Sequence, residues 1–149
     1  MKNIEERLIE LLSKGNCTPR ISTIAKVTKE PSTTIHYNIK RMEKEGKILS
    51  YKAVFDYGKV ERGFCTYVLL ELTPDEYGNP ERIANELAKF EEIESVDIVT
   101  GDWELVLKVR AKDVDEYYGF LKSVLSRKGI GRIKSLNSLK QIKTEFVRL

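Results

Sequence analysis

Pro31-Ser-Thr-Thr-Ile-His-Tyr-Asn-Ile-Lys-Arg-Met-Glu-Lys-Glu-Gly-Lys-Ile48 reads as one helix with two different faces. Ile35, Ile39 and Met42 recur at i, i+4, i+7 and share one side. Ser32, Thr33, Thr34, His36, Tyr37, Lys40, Arg41 and Lys44 occupy the rest of the surface. Gly46 follows the last periodic residue, where a helix terminator belongs. Hydroxyls and ring polar groups come early and cations late. A helix entering the DNA major groove needs that order, with its first residues at base edges and its Lys and Arg at phosphates. A solvated surface helix would carry the same residues, so the flanking sequence decides between the two readings.

Upstream, Ile21-Ser-Thr-Ile-Ala-Lys-Val27 is a short helical pattern with Ile21, Ile24 and Ala25 inward. Thr28-Lys-Glu30 has the length of the turn in a helix-turn-helix. Ile4, Leu8, Leu11 and Leu12 give a further amphipathic helix that stops before Gly15-Asn16. Three short helices, the second and third closely joined, predict a helix-turn-helix domain over residues 1–46.

Charge supports this division. Residues 1–50 hold ten Lys and Arg against six acids, and the remainder holds sixteen against seventeen. The basic excess lies wholly in the three-helix half, the half expected to meet a polyanion. Charged residues make up 33% of the chain, above the roughly 25% usual in soluble proteins. A Lys- and Glu-rich excess of this kind is compatible with a heat-adapted source. No apolar run reaches membrane-spanning length, and Glu5 and Glu6 argue against a signal peptide. Cys17 and Cys65 lack metal-ligand spacing, so the expectation is a reduced cytoplasmic protein with neither metal nor cofactor. His36 is the sole histidine.

Residues 47–62 read as a linker containing a strand. From Phe64 the pattern becomes strand (64–72), loop with two prolines, helix from Pro80 capped by Asn79, strand (95–99), and a turn at Thr100-Gly-Asp. It continues with a strand from Trp103 to Val109, a helix capped by Asp113, and a final strand from Ile133 to Phe146. This βαββαβ order predicts a ferredoxin-like domain over residues 63–149. The whole is α+β. Two helices cover one sheet face only, so residues such as Tyr67 and Leu69 predict burial of the other face against a second copy.

The chain resembles the Lrp/AsnC transcription regulators, also called feast/famine regulatory proteins. The resemblance rests on Ile24-Ala-Lys26, Ser32 to Ile48, Tyr51-Lys-Ala-Val54 and Val99-Thr-Gly-Asp-Trp-Glu-Leu-Val-Leu-Lys-Val109. It implies a winged-type helix-turn-helix, a linker strand and a ferredoxin-like effector domain. It also implies promoter DNA as partner, homodimers assembling into octamers or other rings, and an amino-acid effector held between dimers. Three positions depart from the family pattern. Lys29 stands where Gly is common in the turn, and a left-handed backbone costs Lys roughly 1 kcal/mol, so the turn is expected to differ slightly. Pro31-Ser32 reverses the usual order at the helix start. Glu104 replaces the usual Asp after the aromatic residue, which leaves the effector open.

The base-reading set is then Ser32, Thr33, Thr34, His36 and Tyr37, with Ser32 or Thr33 alternatively a helix cap. Lys40, Arg41 and Lys44 are the phosphate set, and Arg41 has a rival partner in Glu45 at i, i+4. Thr100, Gly101, Asp102, Trp103 and Glu104 form the effector set. The Gly101 turn offers backbone N–H groups to a carboxylate, and Asp102 or Glu104 offers an anion to an amine. The resemblance adds Ser135, supplied by a neighbouring subunit. Two rival functions have the same architecture: a tetrapyrrole decarboxylase of haem biosynthesis, and an amino-acid-binding assembly module without DNA binding. The absence of histidine from the effector half argues against the first, and the presence of Lys40 and Arg41 against the second. No catalytic residues are expected.

Overall fold

A computed structural model describes residues 3–144. The chain divides into two compact units, Met1–Val54 and Phe55–Leu149.

Unit 1 holds α1 (Ile4–Ser13), α2 (Ile21–Thr28) and α3 (Ser32–Lys44). α1 starts with a capping box: the Asn3 side chain accepts from Glu6 N–H, and the Glu6 carboxylate accepts from Asn3 N–H. It ends in a Schellman motif, with Gly15 at φ +94° and the Asn16 N–H returned to the Leu11 carbonyl at 3.0 Å. α3 ends the same way: Gly46 lies at φ +71°, and the Lys47 N–H donates to the Met42 carbonyl at 2.9 Å. In α1 the half-buried apolar residues are Ile9 and Leu12. Ile4, Leu8 and Leu11 of the expected inward stripe stay 67%, 48% and 48% exposed. The helix is amphipathic as read, but the other two helices are too short to cover so wide a stripe.

No strand forms among the described residues of unit 1, so neither a wing nor the expected linker strand appears. Ile48 to Phe55 has no ladder partner, and a strand requires one. Its backbone is tied instead by the Ile48 N–H to the Met42 carbonyl at 3.3 Å and the Ala53 N–H to the Leu12 carbonyl at 3.4 Å.

Unit 2 opens with a 3₁₀ turn, Tyr57–Lys59. Then come β1 (Phe64–Leu72), α4 (Pro80–Leu87), β2 (Ile93–Ile98), β3 (Leu105–Ala111), α5 (Val114–Phe120) and β4 (Ile130–Asn137). The sheet is antiparallel in the order β2-β3-β1-β4, the ferredoxin-like arrangement. Alternate residues of β1 and β3 supply the core: Val68 pairs with Leu107, Leu70 with Leu105, and all four are fully buried. Ile83 and Leu87 of α4 and Tyr117 and Phe120 of α5 close over them. Each large apolar side chain so buried stabilises by roughly 2 kcal/mol.

Element ends differ from the sequence reading where tertiary contacts decide them. Asn79 precedes α4 but makes no side-chain cap, so Pro80 at the first turn is the effective start signal. The Asp113 carboxylate does cap α5, accepting from Glu116 N–H at 2.9 Å. α5 widens into a π turn over Leu121–Leu125, which still points Val124 and Leu125 inward. β2 begins at Ile93, two residues early. β3 begins at Leu105, which leaves Trp103 in the preceding turn. β4 spans Ile130–Asn137, the length over which it pairs with β1: the last pair is Thr66 with Asn137. Phe146, the expected end of that strand, lies outside the described residues.

The uncovered sheet face presents Tyr67, Leu69, Val106 and Leu136 among Lys108, Lys134, Arg132 and Glu71. It is more mixed than the strand pattern alone implied. Cys17 and Cys65 are both free thiols. Among the described residues no helix is long and apolar enough to cross a membrane.

Candidate nucleic-acid interface and effector loop

α2 and α3 are joined through Lys29, which takes the left-handed conformation at φ 59°, ψ 29°. The turn therefore keeps the shape that Gly would adopt, and the expected deviation at Lys29 does not occur. The Glu30 N–H closes the turn on the Ala25 carbonyl at 3.2 Å. Pro31 is the residue before the first helical turn and supplies no side-chain cap. Ser32 and Thr33 are thus inside the helix, not capping it. The first amide groups of α3 meet no capping side chain, and they face the same end as the Ser32 and Thr33 hydroxyls.

Ser32, Thr33, Thr34, His36, Tyr37, Lys40, Arg41 and Lys44 are all exposed, while Ile35, Asn38 and Ile39 are half-buried. Two of the cations are already engaged. Lys40 Nζ lies 2.8 Å from the Glu43 carboxylate, and Glu43 also accepts from the Tyr51 hydroxyl at 3.0 Å. The hydrogen bond from Lys40, with that from Tyr51, holds the Glu43 carboxyl below its ordinary value, and the same Glu43 contact holds the Lys40 ammonium above its own. Arg41 donates to Asn38 Oδ1 at 2.9 Å and stands 3.8 Å from Glu45. The expected Glu45 pair is therefore the looser of its two contacts. Lys44 has no ion pair among the described residues. Sequence reading passed over Glu43 and Tyr51. The i, i+3 spacing of Lys40 and Glu43 was a visible signal, but the approach of Tyr51 needs the fold.

The effector set forms the β2–β3 turn. Val99 N–H donates to the Glu104 carbonyl at 3.0 Å, closing the hairpin around Thr100 to Trp103. Gly101 lies at φ +111°, and a Cβ there would meet nothing within 4 Å. Its backbone is accordingly open to approach. Asp102 is exposed and has no hydrogen bond or ion pair with a described residue. Glu104 is placed differently. Its carboxylate accepts from Leu72 N–H at 2.7 Å, and its own N–H donates to the Leu70 carbonyl at 3.0 Å. The residue pins the turn to the end of β1. Trp103 is half-buried beneath the Arg132 guanidinium, 4.8 Å from ring centre to Cζ, and Arg132 pairs with Glu71 at 2.6 Å. Arg132 and Glu71 join the loop from β4 and β1, and no sequence spacing announces them. Ser135 is not brought to the loop within one chain. It lies on the far edge strand, opposite Val68, and its hydroxyl is 2.6 Å from that of Tyr117.

A helix-turn-helix unit with a cationic second helix, followed by a ferredoxin-like unit with an open hairpin loop, defines a two-part transcription regulator. Comparison with known proteins gives the family. Residues 65–147 match the Lrp/AsnC ligand binding domain. An HTH-type transcriptional regulator of Pyrococcus abyssi is 32% identical over 147 residues, 98% of this chain and 97% of the relative. The crystal structure of an AsnC family transcriptional regulator from Agrobacterium tumefaciens superposes with a TM-score of 0.78 at 21% identity, covering 100% of this chain and 97% of that one. A transcriptional regulator from Neisseria meningitidis, solved as a complex with L-methionine, gives 0.75 at 19% identity, covering 97% and 93%. The chain belongs to the Lrp/AsnC family of transcriptional regulators.

Proposed function

We propose that α3 reads promoter DNA from the major groove, with Ser32, Thr33, Thr34, His36 and Tyr37 at base edges and Lys40, Arg41 and Lys44 at phosphates. The observation that carries this is the helix itself: all eight side chains are exposed, while Ile35 and Ile39 turn inward and Met42, expected on the same side, stays 37% exposed. Residues 1–46 form the DNA-binding domain, 47–62 the linker, and 63–149 the effector and assembly domain. Binding takes place in the cytoplasm, by a homodimer whose two recognition helices meet successive grooves, and dimers assemble further, to an octamer or another ring. The exposed stripe of α1 and the open sheet face supply apolar surface for such contacts.

An amino acid bound at Thr100 to Glu104, with Ser135 from a neighbouring subunit, tunes that assembly through its differential affinity for two assembled states. The complex of the Neisseria relative with L-methionine supports this ligand class. Asp102, the carboxylate not already hydrogen-bonded, receives the amino group. Glu104 holds the loop.

Fluorescence anisotropy on DNA from the protein's own control region, against scrambled DNA over a salt series, tests the reading. Preference for the control region with affinity falling steeply in salt is the expected result. Equal affinity of wild type and the Lys40→Ala, Arg41→Ala double variant, with the same salt slope, would show that the contact face lies elsewhere. Amino acids added to the same samples test the effector.

A further inference from the structure

Glu43 is held from outside its own helix. Its carboxylate takes Lys40 Nζ at 2.8 Å and accepts from the Tyr51 hydroxyl at 3.0 Å. Tyr51 is itself fixed. The Ile48 N–H donates to the Met42 carbonyl at 3.3 Å, and the Ala53 N–H donates to the Leu12 carbonyl at 3.4 Å. The stretch is thus anchored to α3 on one side of Tyr51 and to α1 on the other. The Tyr51 carbonyl packs so close to Gly15 that a Cβ there would stand 2.9 Å from it. Burial, with the Glu43 hydrogen bond, pushes the Tyr51 hydroxyl above its ordinary value, so it keeps its proton and donates.

An ordinary surface pair at i, i+3 joins two mobile side chains and gains little. The Lys40 pair is different. The Glu43 side chain is 29% exposed, against 62% for Lys40. The carboxylate stays where Tyr51 holds it, and Lys40 is the partner free to leave. Arg41 has no such anchored anion. It stands 3.8 Å from Glu45, whose carboxylate reaches Lys47 at 2.6 Å. The cations of α3 are therefore unequal: Lys40 is committed to an anion, while Arg41 and Lys44 are available.

We propose that Glu43, positioned by Tyr51, determines specificity by withholding Lys40 from random DNA and releasing it in the correctly registered complex. This rests on α3 being the helix that reads DNA. Non-specific binding is electrostatic and leaves the protein loosely placed over the phosphates. Loose placement does not align a phosphate with Lys40 well enough to replace a fixed carboxylate at 2.8 Å. Base contacts at the first turns of α3 hold the helix in one register, and a phosphate then stands where it takes Lys40 over. An anion that penalises the wrong complex more than the right one raises the ratio of the two affinities. Tyr51 is a positioning residue in this scheme and touches no DNA.

Anisotropy titrations of the full chain on its control-region DNA and on scrambled DNA, each over a salt series, test the proposal. In the wild type the control region should show the steeper salt dependence by one phosphate contact, a slope difference of about 0.9. Glu43→Gln keeps the shape and removes the charge. It should tighten scrambled DNA more than control-region DNA, cutting the ratio of affinities by about threefold at low salt. The slope difference should vanish with it. Tyr51→Phe should cut the ratio less. In the Glu43→Gln background it should change nothing, since it acts through that carboxylate. A purely structural Tyr51 would instead weaken binding to both DNAs in either background. An unchanged ratio in Glu43→Gln, with the wild type still preferring its control region, would overturn the proposal and leave the reading of α3 intact. A wild type without that preference would overturn both.

Discussion

The Tyr51 hydroxyl donates to the Glu43 carboxylate at 3.0 Å, and Glu43 holds Lys40 at 2.8 Å. A residue beyond α3 is thereby tied to one of the cations proposed to meet DNA. Lys40 must leave a carboxylate before it can meet a phosphate. Glu43→Gln should therefore tighten DNA binding several-fold at low salt, with the gain shrinking as salt rises. Tyr51→Phe should do less, because it leaves the Lys40 pair intact. Anisotropy titrations at two salt concentrations measure both, and no gain in Glu43→Gln at low salt would mean that Lys40 does not contact DNA.

Unit 2 should have an acid limb set by Glu94. Burial pushes this carboxyl up, but the hydrogen bonds from Lys108 and Arg110 outweigh it and hold the group below its ordinary value of 4.5. A carboxylate depressed in the folded state stabilises fully above the unfolded value, and the contribution is lost as pH falls through the folded one. Midpoint temperature against pH should fall more steeply below about pH 4.5 in the wild type than in Glu94→Gln. Parallel curves would show that other carboxylates govern the acid limb.

Asp102 and Glu104 are two residues apart and should give opposite phenotypes. Glu104→Ala leaves the Leu72 N–H without its 2.7 Å acceptor, at a cost of about 1–3 kcal/mol in denaturant unfolding. Asp102→Asn breaks no hydrogen bond or ion pair with a described residue, so its stability should change by less than about 0.5 kcal/mol. Any amino-acid response of DNA binding should nevertheless weaken at least tenfold. An unaltered response in Asp102→Asn would remove this carboxylate from the effector site.

Lys29 holds a left-handed backbone at φ 59°. Gly reaches that region without the Cβ penalty, so Lys29→Gly should stabilise unit 1 by about 1 kcal/mol. Urea unfolding monitored by far-UV circular dichroism reads this directly. A destabilised variant would indicate that the Lys side chain contributes more than its backbone costs.

Periodicity carried most of the fold, because Ile35 and Ile39 of α3 and Leu105, Leu107 and Val109 of β3 repeat at the spacing their elements impose. The family surfaced from the same residues, since Thr100 to Val109 joins a tight turn to that strand. Partners remote in sequence stayed hidden. Nothing in the spacing of Glu104 and Leu72 or of Arg132 and Trp103 announces that they meet. The linker strand was misjudged for the converse reason: Leu49 and Val54 have strand-like composition, but a ladder depends on a partner strand, which local sequence cannot supply. In α1, the apolar spacing identified the helix without revealing which of its apolar residues the unit would cover.

Gly129 and Gly101 separate backbone strain from packing. Both lie at positive φ, +99° and +111°. A Cβ at Gly101 would meet open space, but one at Gly129 would stand 2.9 Å from Ile83 Cδ1 and 3.2 Å from Glu76 Cγ. Ile83 is fully buried in the core of unit 2 and has little room to yield. Gly129 also anchors the approach to β4, its carbonyl accepting from Thr73 N–H at 2.9 Å. Gly101→Ala should cost only the strain, about 1 kcal/mol. Gly129→Ala should cost that and the overpacking, about 2–4 kcal/mol in total. Denaturant unfolding of the two variants side by side gives the difference. Equal losses would mean that Ile83 gives way freely and that α4 is held less tightly against the sheet than its burial implies.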